Sequence, residues 1–197
     1  MAWSVPYTFV ANAILTAAQL NTVQDNISFL GNTHDHTGDA GDGATLTPQV
    51  KQVVNGQTGV VLTGTTIMPK DDTIPQITEG TEFLSLVIGP QNVNNRLLIS
   101  VVIALATSVA ASWISTALFQ DATAGALAAA IAYRATADRG VMVSFTHKMI
   151  AGTVAATTFR VRAGPSTAAT VTFNGEVGVR VYGGVIASSI TITEVAP

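Results

Sequence analysis

The sequence predicts a mainly β protein, an N-terminal helix followed by a β-sandwich of the jelly-roll kind. Three observations lead there. From Ile77 to Val195 short runs rich in Val, Ile, Thr and aromatic residues recur, separated by turn dipeptides such as Gly89-Pro90, Asn94-Asn95, Gly164-Pro165, Asn174-Gly175 and Gly183-Gly184. Several runs alternate apolar and polar residues with period two, as in Val141-Met142-Val143-Ser144-Phe145 and Ser189-Ile190-Thr191-Ile192-Thr193, the pattern of a half-buried strand. The chain is 48% hydrophobic and only 11% charged over 197 residues, whereas ordinary soluble domains carry roughly a quarter charged residues. So little charge leaves too few groups to cover a free surface, and the missing cover is expected from partner chains or from a membrane.

The first segment, residues 1–31, carries the helix. Thr16 stands as N-cap with Gln19 three residues later, a capping box, and Leu15 and Leu20 flank it as a hydrophobic staple. Leu20, Val23, Ile27 and Leu30 then recur at spacings of three and four, one narrow apolar stripe close to a coiled-coil seam, and Gly31 is placed to cap the C-terminus. A helix of this length does not hold itself together in water. Its stripe packs on the downstream domain, on copies of itself or on a larger scaffold; the lack of a second matching helix favours the last two. These four residues are the candidate attachment and oligomerisation residues.

Residues 32–76 are expected to be a linker with short strands. The part reading NTHDHTGDAGDGATLT has no apolar periodicity. Val53 to Thr63 contains Asn55-Gly56 between apolar runs, the signal of a tight hairpin, and Thr65 to Met68 suggests one more strand.

Residues 77–197 form the sandwich. The expected strands are Glu82–Ile88, Arg96–Ala106, Ser112–Phe119, Ala128–Arg134, Val141–Ile150, Thr157–Arg162, Ala169–Phe173, Val177–Tyr182 and Ser188–Val195. Arg96–Ala106 is apolar on both faces, so the second sheet must cover one side and a neighbouring subunit the other. Leu97 to Phe119 contains no charge and is long enough to cross a bilayer. Its Val, Ile, Ser and Thr content, the break at Thr107-Ser108-Val109-Ala110 and the lack of basic flanks read instead as two strands and a turn, without membrane insertion.

Composition narrows the function classes. Net charge is −3, and no Lys or Arg precedes Lys51, so the basic surface that neutralises phosphates is lacking and nucleic acid is not an expected partner. There is no Cys, hence no disulfide and no thiolate metal site. The N-terminus lacks the basic region of a secretory signal. No Gly-x-Ser-x-Gly, phosphate-binding loop or His-Glu-x-x-His occurs, and no carboxylate pair stands out, so no catalytic residue is assigned and the chain is expected not to be an enzyme.

Three segments resemble tailed-phage virion proteins. The opening Trp3-Ser4-Val5-Pro6-Tyr7-Thr8-Phe9-Val10, followed by Leu15-Thr16-Ala17-Ala18-Gln19-Leu20-Asn21, resembles the start of phage tail and virion-surface proteins. Thr33-His34-Asp35-His36-Thr37-Gly38-Asp39 is similar to the His-x-His linker of phage fibres. Val54-Asn55-Gly56-Gln57-Thr58-Gly59-Val60-Val61-Leu62-Thr63 resembles the VNGxTGxVxLT string of tail fibres. The later strands, with Tyr182-Gly183-Gly184 and Ile190-Thr191-Ile192-Thr193-Glu194-Val195 at the close, resemble the trimeric jelly roll of tumour-necrosis-factor and complement globular heads. These resemblances imply a homotrimer on the surface of a virion. It would be a tail fibre or receptor-binding knob attached through its N-terminus, its partners being tail proteins and a host cell-surface receptor. The alternative is a capsid decoration protein clamping the major capsid protein at threefold sites.

His34 and His36, two apart in an extended segment, point to one side. In a parallel trimer they would place six imidazoles about the axis, a set that suits an octahedral transition metal such as iron or nickel. The likeness to fibre proteins implies such an axial metal if this segment lies on the axis; otherwise the two are solvated linker residues. Asp35, Asp39 and Asp42 among glycines have the composition of a calcium loop without the EF-hand spacing. His147 shares a face with Val141, Val143 and Phe145 and reads as a core residue. Asp121 and Asp138 read as turn residues. Arg160 and Arg162 share a strand face and read as solvated or as members of an ion pair between subunits.

Overall fold

A computed structural model describes residues 16–32 and 49–197; for residues 26–32 it describes the backbone alone. The chain divides into two compact units, Met1–Pro48 and Gln49–Pro197.

In the first unit the helix α1 spans Ala17–Asn32. Its start is the capping box that the sequence predicts. Gln19 N donates to Thr16 Oγ1 at 3.3 Å, and Thr16 N donates to Gln19 Oε1 at 2.8 Å, so two of the helix's orphan donors are satisfied reciprocally. The helix runs one residue beyond Gly31, to Asn32, so Gly31 sits in the last turn rather than after it. Leu20 is 56% exposed and Val23 is half-buried. Ile27 and Leu30 lie on the helix, their side chains outside the described residues, as is Leu15 of the expected staple.

The second unit is built of β1 (Val50–Thr58), β2 (Leu62–Gly64), β3 (Thr81–Ile88), β4 (Arg96–Thr107), β5 (Ser112–Gln120), β6 (Ala128–Arg134), β7 (Val141–Ile150), β8 (Thr157–Pro165), β9 (Val171–Phe173), β10 (Gly175–Glu176), β11 (Val179–Arg180) and β12 (Ser188–Val195). One sheet runs β1-β12-β4-β7 and the other β3-β8-β5-β6, every pair antiparallel. Number the eight long strands in chain order. The sheets are then first-eighth-third-sixth and second-seventh-fourth-fifth, the connectivity of a jelly roll. β9 continues the line of β12 along β4, pairing with Leu105–Thr107, and β2 lies outside it.

The core lies between the sheets. It takes Leu97, Ile99, Val101 and Ile103 from β4, Ile114 and Leu118 from β5, Phe159 and Val161 from β8, and Ile190 and Ile192 from β12, each alternating with outward residues. Phe83 and Phe173 stack with ring centroids 5.0 Å apart. A second, smaller cluster of Met68, Ala117 and Phe119, flanked by Ile77 and Ala126, lies on the other side of β5. The segment between β2 and β3 is held down onto that face by Met68 N donating to Pro165 O at 3.0 Å and Gly80 N donating to Ile67 O at 3.1 Å.

These contacts explain where sequence and structure differ. β1 runs straight through Asn55-Gly56, and the expected hairpin there is absent. Asn55 pairs with Thr191 and Gly56 with Ile190, Asn55 Nδ2 donates to Thr191 Oγ1 at 2.7 Å, and a Cβ on Gly56 would lie 3.4 Å from Leu86 Cδ1. Long-range pairing wins over a local turn preference that is worth less. Residues 65–68 form no strand; they pack Met68 onto the second sheet instead. Val177–Tyr182 is strand only at Val179–Arg180, because Val177 and Tyr182 adopt φ of +53° and +48°. The strands of the segment read as linker, β1 and β2, are built into the first sheet. The charge-free run from Leu97 to Phe119 is β4 and β5, one strand in each sheet. No helix among the described residues is long and apolar enough to cross a membrane.

Candidate functional site

The outer face of the first sheet carries little charge. Outward residues alternate with the core set, and the registers place Val53, Thr193, Leu98 and Lys148 in one row and Gln57, Ser189, Val102 and Ser144 in another. Leu98 is 42% and Val102 37% exposed. In these registers the charged side chains are Arg96 and Lys148, close together at one end; the remainder is Val, Leu, Ile, Met, Ala, Ser, Thr, Asn and Gln. A free surface of a small domain carries roughly 25–35% charged residues. The sequence reading expected one apolar strand needing cover on both sides. That strand is β4: one face is buried against the second sheet and the other keeps Leu98 and Val102 facing outward, while β5 is buried on both faces within the chain with the help of Met68.

Beside this sheet the chain makes an excursion between β9 and β12. Asn174, buried with φ of +56°, anchors its root. Its Nδ2 donates to Thr58 O at 2.8 Å, and its Oδ1 accepts from Ser188 Oγ at 2.7 Å. Glu176 Oε1 accepts from Gly140 N at 2.7 Å. Val177, Val179, Tyr182 and Val185 are all exposed. A cavity of about 540 Å³ lies between this excursion and β7, bordered by Met142, Glu176, Tyr182 and Ile186. A β-branched residue at positive φ is a backbone outlier that persists only where its surroundings impose it.

The residues singled out in the sequence fall as follows. His34 and His36, with Asp35, Asp39 and Asp42, lie outside the described residues. Among the described residues no three His, Cys, Asp or Glu side chains are grouped to hold a metal. His147 is half-buried on the inward side of β7, opposite Ile99, as expected of a core-facing histidine. Asp121 and Asp138 occupy turns at φ of +50° and +59°, and Asp121 Oδ1 accepts from Thr158 N at 2.8 Å. Arg160 and Arg162 are not free: both pair with Glu82 of their own chain, at 3.0 and 3.5 Å, and Arg162 also donates to the carbonyls of Glu79 and Gly80.

Sequence reasoning missed Glu194, which is fully buried at the end of β12. Oε1 accepts from Asn95 Nδ2 at 2.6 Å and from Gln91 N at 2.8 Å, and Oε2 accepts from Gln52 Nε2 at 2.5 Å. Burial pushes its carboxyl upward, but the hydrogen bonds from Gln52, Asn95, Gln91 and Asn92 outweigh it and hold the group below its ordinary 4.5. The only sequence signal was a carboxylate inside an alternating strand on its buried side.

Solved structures give distant likenesses. Eiger TNF from S. frugiperda matches 73% of this chain and 93% of its own at 10% identity, with a TM-score of 0.44. The sugar-binding C-terminal domain of EclA matches 87% and 98% at 13% identity and 0.32. The VP2 subviral particle of infectious bursal disease virus matches 78% of this chain and 39% of its own at 12% and 0.34. At such scores none bears on what this chain does; the fold rests on its own strand pairing. No family model and no curated protein matches the chain.

Proposed function

We propose that the chain is a structural, non-enzymatic protein of a tailed-phage virion, a trimeric knob of a tail fibre or receptor-binding tip attached through its N-terminal segment. The observation that carries the assembly is the outer face of the first sheet, where Leu98 and Val102 stand exposed and the strand registers hold only two charged side chains, Arg96 and Lys148, at one end. A second and third copy would cover that face, and closed threefold symmetry would leave no unpaired patch. Support for the virion comes from the N-terminal strings quoted above, in the order they take in phage fibres. Leu20, Val23, Ile27 and Leu30 would then bundle with their copies or dock on the particle. If residues 33–39 follow the threefold axis, His34 and His36 would hold the axial transition metal.

A second reading is capsid decoration at threefold sites, where the same trimer would clamp capsid subunits with its knob projecting. Purified protein offered to host cells and to empty capsids separates the two. Binding to cells supports the fibre tip; binding to capsids alone overturns it in favour of decoration. Elemental analysis of wild type against the double variant His34→Ala/His36→Ala tests the metal. A wild type carrying no metal defeats it.

A further inference from the structure

The excursion after β9 carries two opposite charges that do not meet. Glu176 of β10 is the one charged residue lining the cavity beside β7, where it stands among Leu105, Val141, Met142 and Tyr182. Gly140 N holds its Oε1 at 2.7 Å, and its Oε2 makes no hydrogen bond among the described residues. Arg180 of β11 is exposed and donates no hydrogen bond among the described residues. The ion pairs among those residues are Arg160 and Arg162 with Glu82, so neither Glu176 nor Arg180 has a charged partner there.

The hairpin itself keeps the two apart. Glu176 stands opposite Val179, and Gly175 opposite Arg180. Directly opposed residues share a face and successive residues alternate. The carboxylate and the guanidinium therefore leave the β10–β11 hairpin on opposite sides. The Arg180 stem lies instead against Gly184, where a Cβ would come within 2.8 Å of Arg180 Cδ. Around them Val177, Val179, Tyr182 and Val185 are 60–82% exposed. Ala104 and Met142, which line the cavity, pair across β4 and β7 as the next outward residues after Val102 and Ser144. The cavity is thus continuous with the outer face of the first sheet.

We propose that this excursion joins successive copies of the chain, Arg180 of one copy entering the cavity of the next and pairing with Glu176. Complementary groups on opposite sides of one hairpin cannot meet within a chain. A rotation that repeats brings one side of each copy against the other side of the next, a heterologous contact that closes into a ring. About 540 Å³ leaves room for an arginine side chain. Its stem would pack on Met142, its guanidinium would meet the Tyr182 ring and Glu176 Oε2, and the exposed valines would keep water from the pair, which strengthens it. A foreign cation would engage Glu176 alone and leave Arg180 and the four exposed apolar residues uncovered; a second copy engages all of them.

The inference rests on the trimer proposed above and adds which groups join its copies. The full chain is examined by sedimentation equilibrium over a range of concentrations, beside Glu176→Arg, Arg180→Glu and the double exchange Glu176→Arg/Arg180→Glu, each checked by circular dichroism. Arg180→Glu removes no hydrogen bond within the described residues, so its effect reads the contact between copies. Each single exchange is expected to raise the concentration of half dissociation by about tenfold or more, and the double exchange to recover most of the loss. A wild-type trimer that Arg180→Glu leaves intact overturns this inference and leaves the trimer standing. A double exchange no better than the single ones also overturns it. A wild type of one chain mass overturns this inference and the trimer together.

Discussion

Glu194 and Asn95 face each other at 2.6 Å, a buried carboxylate on the last strand holding the side-chain amide of the turn before β4. With Gln52 and the Gln91 amide on the same carboxylate, this contact ties β1, β12 and the turn before β4 into one corner of the sandwich. Glu194→Gln keeps the shape but turns an acceptor into a donor facing donors, and is expected to cost about 3 kcal/mol. Because the folded pKa lies below the ordinary 4.5, the stabilisation is complete above that value and is lost as pH falls through the folded pKa. Urea unfolding at stepped pH checks this. The wild type should lose stability below about pH 4.5 and the variant should lack that part of the slope; parallel curves would refute it.

Gly164 sits where the segment before β3 crosses β8. A Cβ there would lie 2.4 Å from Thr66 O and 2.9 Å from Met68 N, both backbone atoms with no freedom to yield. Gly164→Ala is expected to lower stability by about 2–3 kcal/mol, read by thermal unfolding, and to expose Phe119 by lifting Met68 from it.

Val177 adopts φ of +53° while its side chain is exposed, so its conformation costs energy and its burial returns little. Asn tolerates that region. Val177→Asn should therefore raise stability by about 1 kcal/mol. A loss of stability would mean that the valine makes contacts in the assembly that the single chain does not show.

Val102 stands in an uncharged row of the outer face, with Gln57, Ser189 and Ser144. Val102→Asp places a carboxylate among residues that the trimer would bury, without touching the core on the other side of β4. Sedimentation equilibrium should give three chain masses for wild type and one for the variant, with unchanged circular dichroism. A wild type of one chain mass removes the trimer.

Much of the fold was legible because its signals are local. Alternation in β7 and β12, and turn dipeptides such as Gly89-Pro90 before β4 and Asn174-Gly175 after β9, located most strands to within a few residues. The Thr16–Gln19 box placed the helix start. What failed needed distant partners. Asn55-Gly56 reads as a turn until β12 is laid beside it, and Thr65–Met68 reads as a strand until Met68 is seen capping Phe119. The corner around Glu194 was illegible for the same reason: Gln52 comes from β1 and Gln91 and Asn95 from the turn before β4, and no spacing in the sequence joins them to it.

The placement of the protein on a phage particle is tested most directly by gold-labelled antibody on intact virions under the electron microscope. The account predicts label at the tail or its tip. Label spread over the head would replace the fibre by decoration, and particles without label, from lysates that contain the protein, would contradict a virion role altogether.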